Sequence, residues 1–237
     1  MKQVLSKILV TGGVVMGLAM SSSNFAMAQS AKPDVKVGEA LYMNGDMSRG
    51  ILACVACHGA EGNSMVPMYP NLAGMPYEYI VNQLKSFQAP ANGNKSEMRK
   101  DAAGNPTLMD PIVAQMKAED MQNLALYISK QKLTQPATAK LGADLDVVNR
   151  GREIWRAGIP DRNVPACASC HGATGQGMPS AFPRLSGQHP EYIESQLIAF
   201  ADGHRPHGGN ENMMGEVANR MNRADIKAVA DYAAGIR

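Results

Sequence analysis

The sequence predicts an all-α protein built from two tandem domains of one kind, related by internal duplication. A shift of 113 residues aligns 38–87 with 151–200 without a gap and gives 20 identities in the 50 pairs. Both copies contain segments with apolar residues at helical spacing, separated by loops rich in Pro and Gly. A repeat of this length exceeds that of solenoid proteins and indicates duplication of a whole domain.

Residues 1–28 have the layout of a secretory signal peptide. Lys2 and Lys7 precede an apolar run at 8–20, and Ala26 and Ala28 are small residues at the two positions that a signal peptidase reads. The run of 13 residues is shorter than the ~20 residues that a bilayer-spanning helix needs. We therefore predict cleavage and a periplasmic mature protein; an N-terminal anchor helix is the alternative.

Composition and charge limit the function classes. Residues 1–28 hold two lysines and no acid, so the remaining chain has a formal charge of zero, and nucleic acid is not predicted as a partner. Hydrophobic residues make up 45% and charged residues 19% of the chain, which excludes a disordered protein. Aromatic residues are only 5%, so two small cores would be thin unless a large apolar cofactor filled them.

All four cysteines lie in two copies of the pattern Cys-x-x-Cys-His, the attachment signature of c-type haem. The copies contain Cys54, Cys57 and His58, and Cys167, Cys170 and His171. Two thiols on one helical turn can add to the two haem vinyl groups, while the adjacent His supplies a nitrogen to iron. Four cysteines in an exported protein would normally suggest disulfides, but the spacing of these four fits haem attachment. Two zinc half-sites would each need a second pair of ligands, and no further Cys remains. A redox dithiol would need a βαβ context, which neither motif has. We predict two covalently bound haem c groups.

The helical segments recur in both copies. We predict helices over 77–88, 118–131, 191–201 and 224–235. Gly38 and Gly151 occupy equivalent positions and predict a close approach of two helices in each copy.

The domain boundaries follow from the repeat. We predict one domain over 29–131, a linker over 132–146 and a second domain over 147–237.

The sixth ligand of each iron decides the function, and a Met thioether opposite His gives a high potential. Met109 and Met214 correspond when the shift becomes 105, after a loop that is eight residues shorter in the second copy. Both are predicted in loops ahead of the last helix of their copy, and both are our candidates.

Other ligands are weaker candidates. Met213 corresponds to Leu108, which cannot bind iron, and Met98 has no counterpart. The core is the better prediction for Met116 and Met121. Met65 and Met178 correspond to each other, but each comes only seven residues after its His, which is too close to reach the opposite face of the haem. The second copy alone contains His189, His204 and His207. They leave bis-His ligation open there, although solvent-facing loop positions are the favoured prediction.

Several motifs resemble the dihaem cytochrome c4 family, whose members fuse two class I cytochrome c domains. The resemblance covers 35–237 and rests on 53–64, 70–74, Tyr79, Gln83 and Leu84 with their second-copy equivalents.

The resemblance implies ligation by His58 with Met109 and by His171 with Met214. It also implies a pseudo-twofold domain pair with haem propionates near the interface. The sequence departs from the family at 89–107.

A six-coordinate haem has no vacant site, so outer-sphere electron transfer is the predicted chemistry, from haem to haem across the domain interface. The resemblance favours a mobile carrier from a quinol-oxidising complex to a terminal oxidase, with peripheral membrane association left open. The alternatives are a haem subunit of a dehydrogenase, such as a sulfide-oxidising flavoprotein, and a peroxidase with one open haem.

Overall fold

The computed structural model of this 237-residue chain describes residues 32–90, 93, 97–180, 182–206 and 212–236. The predicted signal peptide and His207 lie outside this set. Among the described residues, β-structure is confined to isolated bridges, such as the equivalent pairs Asp46–Ile51 and Ile159–Val164. The predicted all-α class is confirmed.

Each half has five α-helices within the described residues. The first half has α1 (Val35–Asn44), α2 (Val55–His58), α3 (Tyr77–Phe87), α4 (Met109–Val113) and α5 (Ala118–Ser129). The second half has α6 (Leu145–Ala157), α7 (Ala168–His171), α8 (Pro190–Ala201), α9 (Met213–Ala218) and α10 (Arg223–Gly235). The four predicted helices are confirmed, and their ends differ from the prediction by two residues at most.

Side chains cap the helices that frame each half. Asp34 accepts a hydrogen bond from the backbone of Lys36 before α1, and Asp144 accepts one from Val147 before α6. Such caps satisfy N–H groups that the first helical turn leaves without partners. These caps fix the N-terminal ends of α1 and α6.

The first and last helices of each half cross at a glycine. A Cβ on Gly38 would lie 2.0 Å from the carbonyl oxygen of Asn123, and one on Gly151 would lie 2.3 Å from that of Ala228. Only glycine allows such an approach, so α1 packs directly on α5, and α6 on α10. The close approach predicted from the repeat is confirmed.

Aromatic residues anchor the two cores. Tyr42 and Trp155 are equivalent and buried, and each packs against a Tyr of the last helix, with ring centroids 5.3 Å apart for Tyr127 and 6.5 Å for Tyr232. The hydroxyl of Tyr42 donates to the carbonyl of Gly59 at 2.7 Å, and the indole of Trp155 donates to the carbonyl of Ala173 at 3.1 Å, one residue beyond the equivalent of Gly59. Each polar edge is thereby satisfied inside its core.

The predicted linker runs in extended and turn conformations as far as Asp144, and its last two positions belong to α6. Asn63 of the first half accepts a hydrogen bond from the backbone of Thr134, and Asp231 of the second half accepts one from that of Lys140. The segment is therefore tied to both halves. The domain boundaries themselves stay a prediction.

A buried hydrogen-bond network joins the halves. The side chain of Gln188 accepts from the backbone N–H of Asn71 at 2.8 Å and donates to its carbonyl at 2.9 Å. His189 is 7% exposed, and its Nε2 donates to the carbonyl of Ser64 at 3.0 Å. The solvent-facing position predicted for His189 is wrong, because this side chain spans the junction between the halves.

None of the described helices is long and apolar enough to span a bilayer.

Candidate functional site

The two Cys-x-x-Cys-His motifs fold as single helical turns. In each, the His backbone N–H bonds to the carbonyl of the first Cys at 2.9 Å, from His58 to Cys54 and from His171 to Cys167. The four cysteines form no disulfide. Burial raises the pKa of the Cys54 and Cys167 thiols to about 11. Burial thus disfavours the thiolate form of these two cysteines, which is the form that a redox dithiol or a zinc site uses.

Both motif histidines are held in one tautomer. Nδ1 lies 3.0 Å from the carbonyl oxygen of Pro70 for His58, and of Pro183 for His171. A carbonyl only accepts, so Nδ1 carries the proton and Nε2 keeps its lone pair. Burial lowers the pKa of both imidazoles, against the smaller opposing effect of the carbonyl. The arrangement yields a neutral nitrogen donor with a fixed ring orientation, as an iron ligand requires.

A cavity of about 640 Å³ lies mainly in the second half, and Tyr79, Asn82 and Gln83 of the first half also line it. Cys167, Cys170, His171 and Met214 line it together. Its apolar wall includes Trp155, Leu185, Ile193, Leu197, Phe200 and Val229. The donors are one imidazole, one thioether and two thiols in apolar surroundings, a set that fits a flat, covalently attached haem. Among the described residues, no three His, Cys, Asp or Glu side chains converge as for an ion held by protein ligands alone.

The two candidate methionines occupy equivalent places. Met214 lies in the first turn of α9 and half-buried in the cavity wall. Met109 begins α4 and packs against the first-half core, as Cys54 does. The predicted loop positions are therefore wrong, since both residues lie in short helices ahead of the last helix. A helical turn holds a side chain more firmly than a loop would.

The rival methionines divide by burial. Met116 is 5% and Met121 is 1% exposed, and both belong to the core as predicted. Met65 is 76% exposed. Met213 also lines the cavity but is 40% exposed. Met214 is the more enclosed of the two neighbouring thioethers.

Arg99 and Arg205 are buried where the halves meet, and neither was predicted from the sequence as a functional residue. Arg205 lines the same cavity as His171. The repeat contained a signal in Gln83 and Gln196, an identical pair in equivalent helices, because each of these glutamines accepts hydrogen bonds from both arginines.

Comparison with known proteins places the chain in a family. The cytochrome c family model matches it twice, over 35–132 and 148–235. Cytochrome c4 of Azotobacter vinelandii is 34% identical over 184 residues, which cover 77% of this chain and 84% of that protein. The chain belongs to the cytochrome c4 family. It is a dihaem electron carrier with two covalently bound haem c groups.

Two further relatives refine this placement. The crystal structure of reduced cytochrome c4 from Pseudomonas stutzeri superposes with a TM-score of 0.70 at 31% identity, covering 86% of this chain and all of that one. A thiosulfate dehydrogenase electron acceptor of Stutzerimonas stutzeri is 31% identical over 212 residues, which cover 89% of this chain and 91% of that protein. The dihaem cytochrome c4 fold predicted from the motifs is confirmed.

Proposed function

We propose that this protein is a periplasmic carrier that moves single electrons through two six-coordinate haems. In this proposal His58 and Met109 bind one iron, His171 and Met214 bind the other, and the cysteines of each motif form the covalent links. The observation that carries it is the second-half cavity, which Cys167, Cys170, His171 and Met214 line together. The internal repeat, in which Met109 corresponds to Met214 and His58 to His171, extends the assignment to the first half.

Bound haem supplies a one-electron couple between ferric and ferrous iron. The residues around it limit what else can happen there. The Pro183 carbonyl fixes the orientation of the His171 ring, so its Nε2 would face a bound iron in the same way whichever oxidation state the iron had. Met214, which lines the same cavity, would hold the other ligand position of the iron and so would keep water, oxygen and substrates away from it. Because the same two ligands would stay bound in both oxidation states, little reorganisation would accompany electron transfer, and outer-sphere transfer would be fast.

The donor and acceptor we favour are a quinol-oxidising complex and a terminal oxidase, with transfer between the two haems across the junction of the halves. The signal-like residues 1–28 support export to the periplasm. Peripheral association with the membrane would bring the carrier close to both complexes.

A second function is an electron-accepting subunit for a periplasmic dehydrogenase. The thiosulfate dehydrogenase electron acceptor of Stutzerimonas stutzeri supports it, because its similarity extends over 89% of this chain. The same haem chemistry would serve this role, and only the donor would differ. A flavoprotein that oxidises sulfide is the related alternative donor.

Carbon monoxide tests the ligand assignment, because it binds ferrous haem only where the sixth position is open or weakly held. We expect no change in the difference spectrum of the dithionite-reduced wild-type holoprotein. Met109→Ala and Met214→Ala should each bind one equivalent. Met65→Ala is the control, since this side chain is 76% exposed and should leave both irons closed.

Binding of carbon monoxide to one wild-type haem would contradict the carrier proposal and favour an enzyme with an open haem. Binding by neither Met variant would contradict the ligand assignment.

The donor is tested with the ferric holoprotein. Rapid reduction by membranes that oxidise quinol, with none by thiosulfate and its dehydrogenase, supports the respiratory role. The reverse result supports the dehydrogenase role.

A further inference from the structure

Two buried arginines face each other across the junction of the halves. Arg99 is 4% exposed and Arg205 is 5% exposed. Each guanidinium lies over a Phe ring, 4.2 Å from the centroid of Phe87 for Arg99 and 4.3 Å from that of Phe200 for Arg205. Phe87 and Phe200 are an identical pair of the repeat. The two cations therefore stack on equivalent residues of the two halves.

Two glutamines connect them. Arg99 donates to Gln83 Oε1 at 2.9 Å and to Gln196 Oε1 at 2.5 Å. Arg205 donates to Gln196 Oε1 at 2.8 Å and to Gln83 Oε1 at 2.5 Å. Each amide oxygen thus accepts from one arginine of its own half and one of the other. We call these four residues the arginine cluster.

The cluster has no negative charge among the described residues. The phenols Tyr79 and Tyr192 also lie near the two guanidinium groups and affect the electrostatics there, Tyr79 beside Arg205 and Tyr192 beside Arg99. The ion pairs of the described chain include neither arginine. Burial, and then the charge of Arg205, lowers the pKa of Arg99 to about 10. Two like charges out of water are expensive unless an anion neutralises them.

The cluster opens into the cavity that holds the haem-attachment residues. Arg205, both glutamines and both phenols line that cavity together with His171. The Nε of Arg205 is buried and has no hydrogen-bond partner. A buried donor without an acceptor costs about 1–3 kcal/mol, so an acceptor belonging to the cavity's occupant is expected here.

We propose that the arginine cluster binds haem carboxylates, with Arg205 holding a propionate of the second-half haem and Arg99 a propionate of the first-half haem. This inference rests on the proposed function, because it requires the haem of each half to lie against its motif. Haem carries two carboxylates at one edge of an otherwise apolar ring, which matches an apolar cavity with a cationic end. Arginine binds carboxylate through two parallel hydrogen bonds. The shared glutamines then link the two haem sites.

The cluster also has an electrostatic consequence. A cation beside a haem disfavours the ferric, more positive state and so raises the reduction potential. Removal of Arg205 should lower the potential of the second-half haem most, and that of the first-half haem less. Removal of Arg99 should give the mirror pattern.

The test compares Arg99→Gln and Arg205→Gln holoproteins with the wild type. Potentials are measured by redox titration followed in the visible spectrum, and the Met214→Ala protein identifies the second-half haem. Resonance Raman spectra report the propionate bending bands. We expect a downward shift at the haem of the altered half and a shifted propionate band in each variant. The control is Arg223→Gln, whose exposed side chain pairs with Asp202 and should change neither.

Unchanged potentials and unchanged bands in both variants would overturn the inference while two His/Met haems persist. Loss of the His/Met spectrum in wild type would instead count against the proposed function. Inorganic phosphate at constant ionic strength separates the sources of the anion. A phosphate-dependent wild-type potential would indicate a free anion and overturn the proposal, whereas an independent one supports it.

A crystal structure of the wild-type holoprotein decides the matter if the variants fail to fold. A haem carboxylate within hydrogen-bond distance of Arg205 Nε supports the inference. Carboxylates directed elsewhere overturn it.

Discussion

The two halves have the same arrangement of helices, but the ion pairs at their last helices differ. In both, an Asp near the start of the last helix pairs with an Arg from the turn before the haem motif: Asp120 with Arg49, and Asp225 with Arg162. Asp225 has a second partner in Arg150, where the first half has Val37. The Asp–Arg pair is the shared requirement, because it closes the same loop onto the same helix in each half.

The halves differ more where they meet. Gln188 and His189 join the junction through hydrogen bonds, whereas the equivalent first-half residues are Met75 and Pro76. The first half contributes its longer loop instead, in which the backbone of Lys100 donates to the carbonyl of His204 at 2.7 Å. Duplication supplied two copies of one domain, and the contact between them required each copy to change separately.

The largest expected effect comes from removing the polar side of this junction. Gln188→Met introduces the residue found at the equivalent position of the first half, Met75. The substitution leaves the buried N–H and carbonyl of Asn71 without partners. Each unsatisfied group costs about 1–3 kcal/mol, so we expect a loss of about 2–6 kcal/mol in the free energy of unfolding. Denaturant unfolding followed by circular dichroism measures it.

Gln135→Met is the control for this change, because this glutamine is exposed and should tolerate the same substitution. A Gln188→Met protein as stable as the wild type would show that the network does not hold the halves together.

The helix crossings test whether the frame is equally tight in both halves. Gly38→Ala and Gly151→Ala should each cost about 2–3 kcal/mol, since the added Cβ would overlap a backbone carbonyl and separate the crossing helices. Thermal unfolding of the two holoproteins gives the comparison. Gly142→Ala is the matched control, with open space around its Cβ and an expected change below about 0.5 kcal/mol. Equal stability of all three variants would refute the tight crossing.

The smallest effect separates the two acid–arginine pairs. Asp225→Asn should cost about 2 kcal/mol, because it removes a 5% exposed carboxylate from two arginines. Asp120→Asn should cost about 1 kcal/mol, since Arg49 keeps Asp46 as a partner. Urea titration near neutral pH measures both. A larger effect at Asp120 would reverse the order that the structure predicts.

The pKa values of Asp120 and Asp225 predict how their contribution to stability depends on pH. Burial opposes ionisation of Asp120 and Asp225, but hydrogen bonds from Arg49, and from Arg162 and Arg150, outweigh it and lower both pKa values. Their stabilisation is present above the unfolded pKa of about 3.9 and is lost as pH falls through the folded values. The stability difference between wild type and Asp225→Asn should therefore shrink below about pH 4. A constant difference would contradict the lowered pKa of Asp225.

The sequence by itself determined the duplication, the two haem attachments and the main helices. Covalent attachment needs Cys54, Cys57 and His58 on one turn, and helices need apolar residues at a fixed period, so both are local patterns that can be recognised along the chain. Equivalence between the copies also identified Met109 and Met214 as candidates, which stay predictions, and Gly38 and Gly151 as helix crossings.

Only the tertiary structure decided what lies between the halves. His189 was predicted to face solvent and is buried, since its acceptor, the carbonyl of Ser64, is 125 residues away in sequence. Arg99 and Arg205 do not correspond in the aligned repeat, because they lie in loops of different length. They become equivalent only in the folded chain, where each stacks on a Phe and both share two glutamines. Periodicity and spacing describe contacts within a segment, whereas burial of a charge depends on which distant segments fold over it.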